Sequence, residues 1–135
     1  MTPRDDGTIR VIVAGTREFN DYDLVKKELD KLRIFPEFYH GFTVFSGCAK
    51  GADQLGERYA YENHLQVVKF PADWEKYGKK AGPIRNEEMA KHADACIVFW
   101  NGKSKGTKNM IDNAKKYKLR LIVVGVPPYG LETVR

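Results

Sequence analysis

The chain has 135 residues, 42% hydrophobic and 30% charged, with a formal net charge of +5 and a pI near 9.2. That length gives one domain with a real core, and the composition is that of a globular protein rather than a disordered or fibrous one. No apolar run approaches the roughly 20 residues of a membrane span, Met1 to Gly7 lacks a signal-peptide apolar segment, and Cys48 and Cys96 form neither a CxxC pair nor a Cys/His cluster of zinc spacing.

A cytoplasmic protein with no membrane partner and no metal is therefore expected. The positive balance favours anionic partners, nucleotides or nucleic acid, although the acidic residues are interspersed among the basic ones.

Residues 1–8 read as a tail. Ile9 to Ala14 is an almost continuous apolar run, which suits a strand buried on both faces. It ends at Gly15-Thr16-Arg17. Asn20 or Asp21 caps a helix carrying Leu24, Val25, Leu29 and Leu32, stopped at Pro36. Phe42 to Phe45 is a second strand, feeding Ser46-Gly47-Cys48-Ala49-Lys50-Gly51-Ala52-Asp53. A helix from Gln54 to His64 leaves that turn. Gln66 to Phe70 is a third strand. A long polar connection, Ala72 to Pro83, holds Trp74 and Tyr77, and connections of that length are often functional. Ile84 to His92 is helical, Ala95 to Trp100 is a fourth strand, and Asn101 to Thr107 is a glycine- and lysine-rich turn. A helix with Met110, Ile111, Ala114 and Tyr117 on its apolar side follows. Leu121 to Val124 is the fifth strand, and residues 127–135 form a second tail.

Alternating strands and helices imply one three-layer α/β domain over 9–126, with a mostly parallel five-stranded sheet in the order 3-2-1-4-5. Strands one and four then meet where the winding reverses, and ligands bind outside the carboxyl ends of strands at such a point. Three unusual turns converge there.

Each turn has parts suited to an anion. Thr16 offers a hydroxyl, and Arg17 a bidentate fork unless it is only a surface arginine. Ser46 and the N–H groups of Gly47, Cys48, Ala49 and Gly51 open a helix, where backbone donors and the dipole attract phosphate. Asp53 either complements that dipole or bonds a ribose hydroxyl or another polar ligand group. Cys48 lacks a base partner and is read as a small packed residue. Gly102, Ser104, Gly106 and Thr107 lead into the next helix, with Lys103, Lys105 and Lys108 around them. GxGxxG and GxxxxGK[ST] are both absent, so no NAD or other cofactor is expected. Trp74 and Trp100 are candidate stacking faces, Trp100 the better placed, while Tyr77 is read as packing. Arg85 and Asn86 open a helix aimed at the same cleft.

With these pieces in place the chain resembles the SLOG superfamily, and within it the YspA-like branch of small Rossmann-type proteins of bacteria and their phages. The matching pieces are Val13 to Phe19, Ser46 to Asp53, Pro71 to Trp74, Gly82 to Met89, and Ala93-Asp94 through Gly106 to Met110. The resemblance implies a Rossmann-like fold and a nucleotide or nucleotide-derived ligand, sensed or processed. Two relatives pull in different directions. LOG phosphoribohydrolases cleave nucleoside monophosphates at the N-glycosidic bond, with a Gly-Gly-x-Gly-Thr-x-x-Glu turn and an arginine on the preceding helix. Gly106-Thr107 and Arg85 are similar, but Met110 stands at the glutamate position and a thioether is neither acid nor base. A hydrolase of that type would rely on Arg85 and on Asp53 or Glu87 as the carboxylate. DprA, similar at Gly15 to Arg17, at Ser46 to Asp53 and around Arg85-Asn86, implies single-stranded DNA binding and self-association, so a homodimer and single-stranded nucleic acid are the lesser partner expectations.

Overall fold

The computed structural model describes residues 8–127, so the two expected tails lie outside the described residues except at their inner ends. Five parallel strands form one sheet in the order β3-β2-β1-β4-β5: β1 Arg10–Gly15, β2 Thr43–Ser46, β3 Val67–Lys69, β4 Ala95–Trp100 and β5 Arg120–Gly125. The expected order is the observed one. β1 pairs with β2 through Val11 and Val44, and with β4 through Val11 and Ala95.

The strand period of two divides the core. Val11 and Val13 point to one face and Ile12 and Ala14 to the other, so β1 is buried on both. The first face is covered by α1 (Tyr22–Leu32), through Val25, Leu29 and Leu32, and by α2 (Ala52–Glu62), through Ala52, Tyr59 and Ala60. The second is covered by α4 (Ala81–His92), through Met89 and Ala90, and by α5 (Lys105–Lys116), through Met110, Ile111 and Ala114.

Four local expectations change. Asp21, not Asn20, caps α1, its carboxylate accepting from the Leu24 N–H at 3.1 Å. That helix ends at Leu32, before Pro36 opens a short 3-10 turn, Pro36–Phe38. The connection expected over Ala72 to Pro83 is largely helical: α3 (Trp74–Tyr77) is capped by Asp73, a 3-10 turn covers Gly78–Lys80, and α4 already begins at Ala81. Pro83 lies in the first turn of α4, where its missing N–H costs nothing. Tyr77, expected to pack, is exposed, with the Lys76 ammonium 5.1 Å from its ring centroid.

Among the described residues no helix is long and apolar enough to cross a membrane.

Candidate functional site

A cavity of about 560 Å³ opens at the carboxyl edge of the sheet, where β1 and β4 lie side by side and the winding reverses. The β1–α1 turn supplies Gly15, Arg17 and Glu18. The β2–α2 turn supplies Ala49 and Asp53. The start of α5 and the turn before it supply Asn101, Lys103, Ser104, Lys105, Gly106 and Thr107. Trp74, Gly82, Pro83, Arg85 and Asn86 close the side formed by α3 and α4. Ala14, Met89 and Met110 make an apolar floor, and Asn109 completes the wall.

Of the expected site residues, Gly15, Arg17, Ala49, Asp53, Trp74, Arg85, Asn86, Ser104, Gly106 and Thr107 line this cavity. Thr16, Ser46, Gly47, Cys48, Gly51, Trp100 and Gly102 do not. Thr16 is buried and its hydroxyl accepts from the Asn101 N–H at 3.2 Å, tying the first turn to the third. Trp100 turns its ring toward the α4/α5 core and donates its indole N–H to the Ser104 carbonyl at 3.1 Å, so Trp74, half exposed at the cavity, is the aromatic face on offer. Cys48, read as a packed residue, is exposed, with φ +66°. Although the residue is exposed, partial desolvation of its sulfur and the Glu57 charge raise the thiol pKa, which is the reverse of an activated nucleophile. Cys96 is buried in the core.

The Ser46–Asp53 turn spends two of its backbone donors on its own side chains. The Cys48 N–H donates to the Ser46 hydroxyl at 3.1 Å, and that hydroxyl donates to Glu57 at 2.6 Å. The Ala49 N–H donates to Asp53 Oδ2 at 3.3 Å. The turn closes on its own side chains and presents a carboxylate to the cavity.

The anion-facing helix start is that of α5. Asn101 Oδ1 accepts the N–H groups of Lys103 and Ser104, both at 2.9 Å, and Ser104 Oγ caps the helix by accepting from Thr107 at 3.3 Å. The N–H groups of Lys105 and Gly106 take no partner among the described residues. They stand at the positive end of the α5 dipole. Replacing Ser104 with Ala removes the cap and is expected to lower stability by about 1 kcal/mol, read as a lower urea midpoint at unchanged slope. A midpoint equal to that of the wild type would show that Asn101 alone holds the turn.

Arg85 and Asp53 meet across Gly47. A Cβ on Gly47 would lie 2.8 Å from Arg85 Nη1 and 2.9 Å from Asp53 Oδ2, so only glycine allows this approach. Arg85 donates from Nη1 to the Gly47 carbonyl and, at 3.5 Å, to that of Phe70, and from Nε to Asn86 Oδ1 at 2.9 Å. Asn86 in turn donates to Asn109 Oδ1 at 3.0 Å and to the Gly106 carbonyl at 3.4 Å. One chain of bonds thus runs from the second turn through α4 to the start of α5.

Burial pushes the Asp53 carboxyl up to about 6, against the opposing pull of the Ala49 N–H, the Arg85 charge and the Gly47 backbone. Burial likewise lowers the Arg85 pKa, with Asp53 drawing it back. A carboxyl whose pKa is higher in the folded state stabilises the fold most below its unfolded value, and that contribution is lost as pH rises through about 6. Between pH 7.5 and 5 the wild type is therefore expected to gain about 1–2 kcal/mol relative to Asp53→Asn, measured by urea unfolding of both at each pH. Parallel pH profiles would assign the carboxyl an ordinary pKa.

Four cationic side chains line the cavity, Arg17, Lys103, Lys105 and Arg85, against two carboxylates, Glu18 and Asp53. Met110 is buried and lines the floor, so a thioether occupies the place where the LOG-type motif carries its glutamate. Among the described residues no group of three or more His, Cys, Asp and Glu side chains is arranged to hold a metal ion. Glu18 and Asn109 were not singled out from sequence. Glu18 follows a turn already suspected, whereas nothing local marks Asn109, whose place depends on α4 and α5 packing together.

Comparison with known proteins bears on the family and the fold. A family model, YAcAr, described as the YspA, cpYpsA-related SLOG family, matches residues 9–77. The chain is 36% identical over 126 residues to the gene 61 protein of Mycobacterium phage D29, covering 88% of this chain and 98% of that protein. Its fold is similar to the X-ray structure of DNA processing protein A (DprA) from Streptococcus pneumoniae, with a TM-score of 0.67 at 17% identity over 93% of this chain. The chain spans about half of that longer protein, 52% of its length.

Proposed function

The chain belongs to the YspA, cpYpsA-related SLOG family, and from that premise we propose that it binds a nucleotide or nucleotide-derived ligand in the carboxyl-edge cavity. The observation that carries this reading is the start of α5. Two unpartnered N–H groups, on Lys105 and Gly106, open the wall of a cavity also lined by Lys103, Lys105 and Arg17. A phosphate fits that chemistry. Trp74, across the cavity on α3, offers an exposed ring for a base. A calorimetric panel of mono-, di- and triphosphates, cyclic nucleotides and ADP-ribose tests it. Micromolar binding of at least one member is expected, weakened by Lys105→Ala. No binding by any member would end the reading.

A second reading, single-stranded nucleic acid, is favoured by one observation. Lys76, Lys79 and Lys80 cluster beside Trp74, and none lies within ion-pair distance of a carboxylate among the described residues. Oligonucleotide binding of this kind would weaken steeply with salt as counterions are released, and a gel shift insensitive to salt would count against it.

A further inference from the structure

The Asp53 carboxylate is only 4% exposed, yet it has one uncommitted oxygen. Oδ2 is held by the Ala49 N–H. The Gly47 backbone also bears on the carboxylate, but no donor among the described residues is in hydrogen-bond geometry with Oδ1, and it is not a fully enclosed atom without a partner, since Arg10 Nη1 alone is of that kind among them. Its open side is the cavity that Asp53 lines. Arg85 does not take up that oxygen: its Nη1 donates to the Gly47 and Phe70 carbonyls and its Nε to Asn86, and neither nitrogen bonds the carboxylate.

A desolvated acceptor aimed into a ligand cavity asks for a donor from the ligand. It also repels an anion, which leaves phosphate to the α5 start. Resting on the nucleotide reading above, we propose that Asp53 is the specificity-determining residue of the site, accepting a hydrogen bond from a ribose hydroxyl and so selecting ribonucleotides over their deoxy forms.

A site built to bond a hydroxyl rejects the analogue that lacks it, because its own buried group is then left unpaired. Hydrogen bonds to a charged acceptor set the scale of that preference at about tenfold to a hundredfold. The preference also depends on pH. An ionised carboxylate is the better acceptor, so selectivity is expected to shrink as pH falls through the range in which Asp53 takes up its proton. The other groups bearing on that proton are Arg85 from α4, Glu57 one turn along α2, Cys48 in the turn and Cys96 on β4.

The test is titration calorimetry with AMP, ADP and ATP, each beside its 2′-deoxy and 3′-deoxy form, at pH 5 and 7.5. The ratio of affinities is the readout, because the titration of the phosphate is common to both members of a pair. The wild type is expected to prefer one ribose hydroxyl by tenfold or more at pH 7.5 and by less at pH 5. Asp53→Asn is expected to bring the ratio within about threefold at both values. Should that variant fail to fold, the wild-type ratio and its pH dependence decide alone. Equal binding of ribo and deoxy forms, or a preference unchanged between pH 7.5 and 5, overturns the proposal and leaves the nucleotide reading standing. No binding by any of the nine compounds overturns this assignment, and the nucleotide reading it rests on falls with it only if the wider panel of cyclic nucleotides and ADP-ribose also fails to bind.

Discussion

Gly51→Ala is expected to destabilise the protein by about 3 kcal/mol or more. Gly51 is the N-cap of α2, with φ +80°, a conformation that costs a residue with a Cβ about 1–2 kcal/mol. The added methyl would also lie 2.3 Å from the Thr16 carbonyl oxygen and 2.5 Å from that of Arg17. These are backbone atoms, and overpacking against atoms that cannot rotate away costs a further 1–3 kcal/mol or so. The first turn has little room to retreat. The Thr16 N–H donates to the Phe99 carbonyl at 2.9 Å, and its hydroxyl is bonded to the Asn101 N–H. Any movement that relieves the clash pulls Arg17 out of the cavity wall. Urea unfolding at unchanged slope reads the loss. A loss under about 1 kcal/mol would show that the two turns are not locked as described.

The second large effect concerns Arg85. Its truncation to Ala is expected to weaken binding of an anionic ligand by about a hundredfold or more, the usual scale for removing a buried, hydrogen-bonded charge. Three carbonyl or amide partners lose their donor at once: Gly47, Phe70 and Asn86. Asp53 would also lose the cation facing it, so its carboxyl would take up a proton at still higher pH. Arg85→Lys separates charge from geometry. A single ammonium cannot span two carbonyls and an amide as the planar fork does, so Lys is expected to restore only a minor part of the affinity. Full recovery in Arg85→Lys would reduce the role of Arg85 to its charge. Circular dichroism of both variants checks that the fold persists.

The strand order could be read from the sequence because it follows from short-range pattern plus handedness. β1 and β4 are apolar runs, the helices between them carry apolar faces at helical spacing, and right-handed crossovers leave few arrangements. The same pattern placed the Gly15–Arg17, Ser46–Asp53 and Asn101–Thr107 turns on one edge. What it could not reach was how each turn spends its own donors. The Ala49 N–H is used by a carboxylate four residues on, and the Cys48 N–H by a hydroxyl two residues back. Composition suggests a phosphate cradle in that turn, while three-dimensional closure makes it the mount for Asp53.

Trp100 shows a different kind of limit. β4 sends Ala95, Ile97 and Phe99 to one face and Cys96, Val98 and Trp100 to the other, so counting by twos already directs the indole under α5 rather than toward the strand end. That signal was present and outweighed by position along the chain. Pro83 misled in the opposite sense. It closes the connection expected before the helix at Ile84, yet it lies in the first turn of α4, where a proline is compatible with the helix.

Every strand-to-strand connection in this sheet is a crossover, and no two strands are joined by a hairpin. Neighbouring strands are therefore distant in sequence, and the cavity draws on residues from Ala14 to Met110. Such a topology pays its loop-closure entropy before any long-range contact forms, so folding is expected to be slow for a chain of this size. A compound seated among all three turns would find no partial version of its site in a half-wound chain. It would act as a brake on unfolding rather than a template for folding, lengthening the lifetime of the native state while leaving the rate of reaching it unchanged.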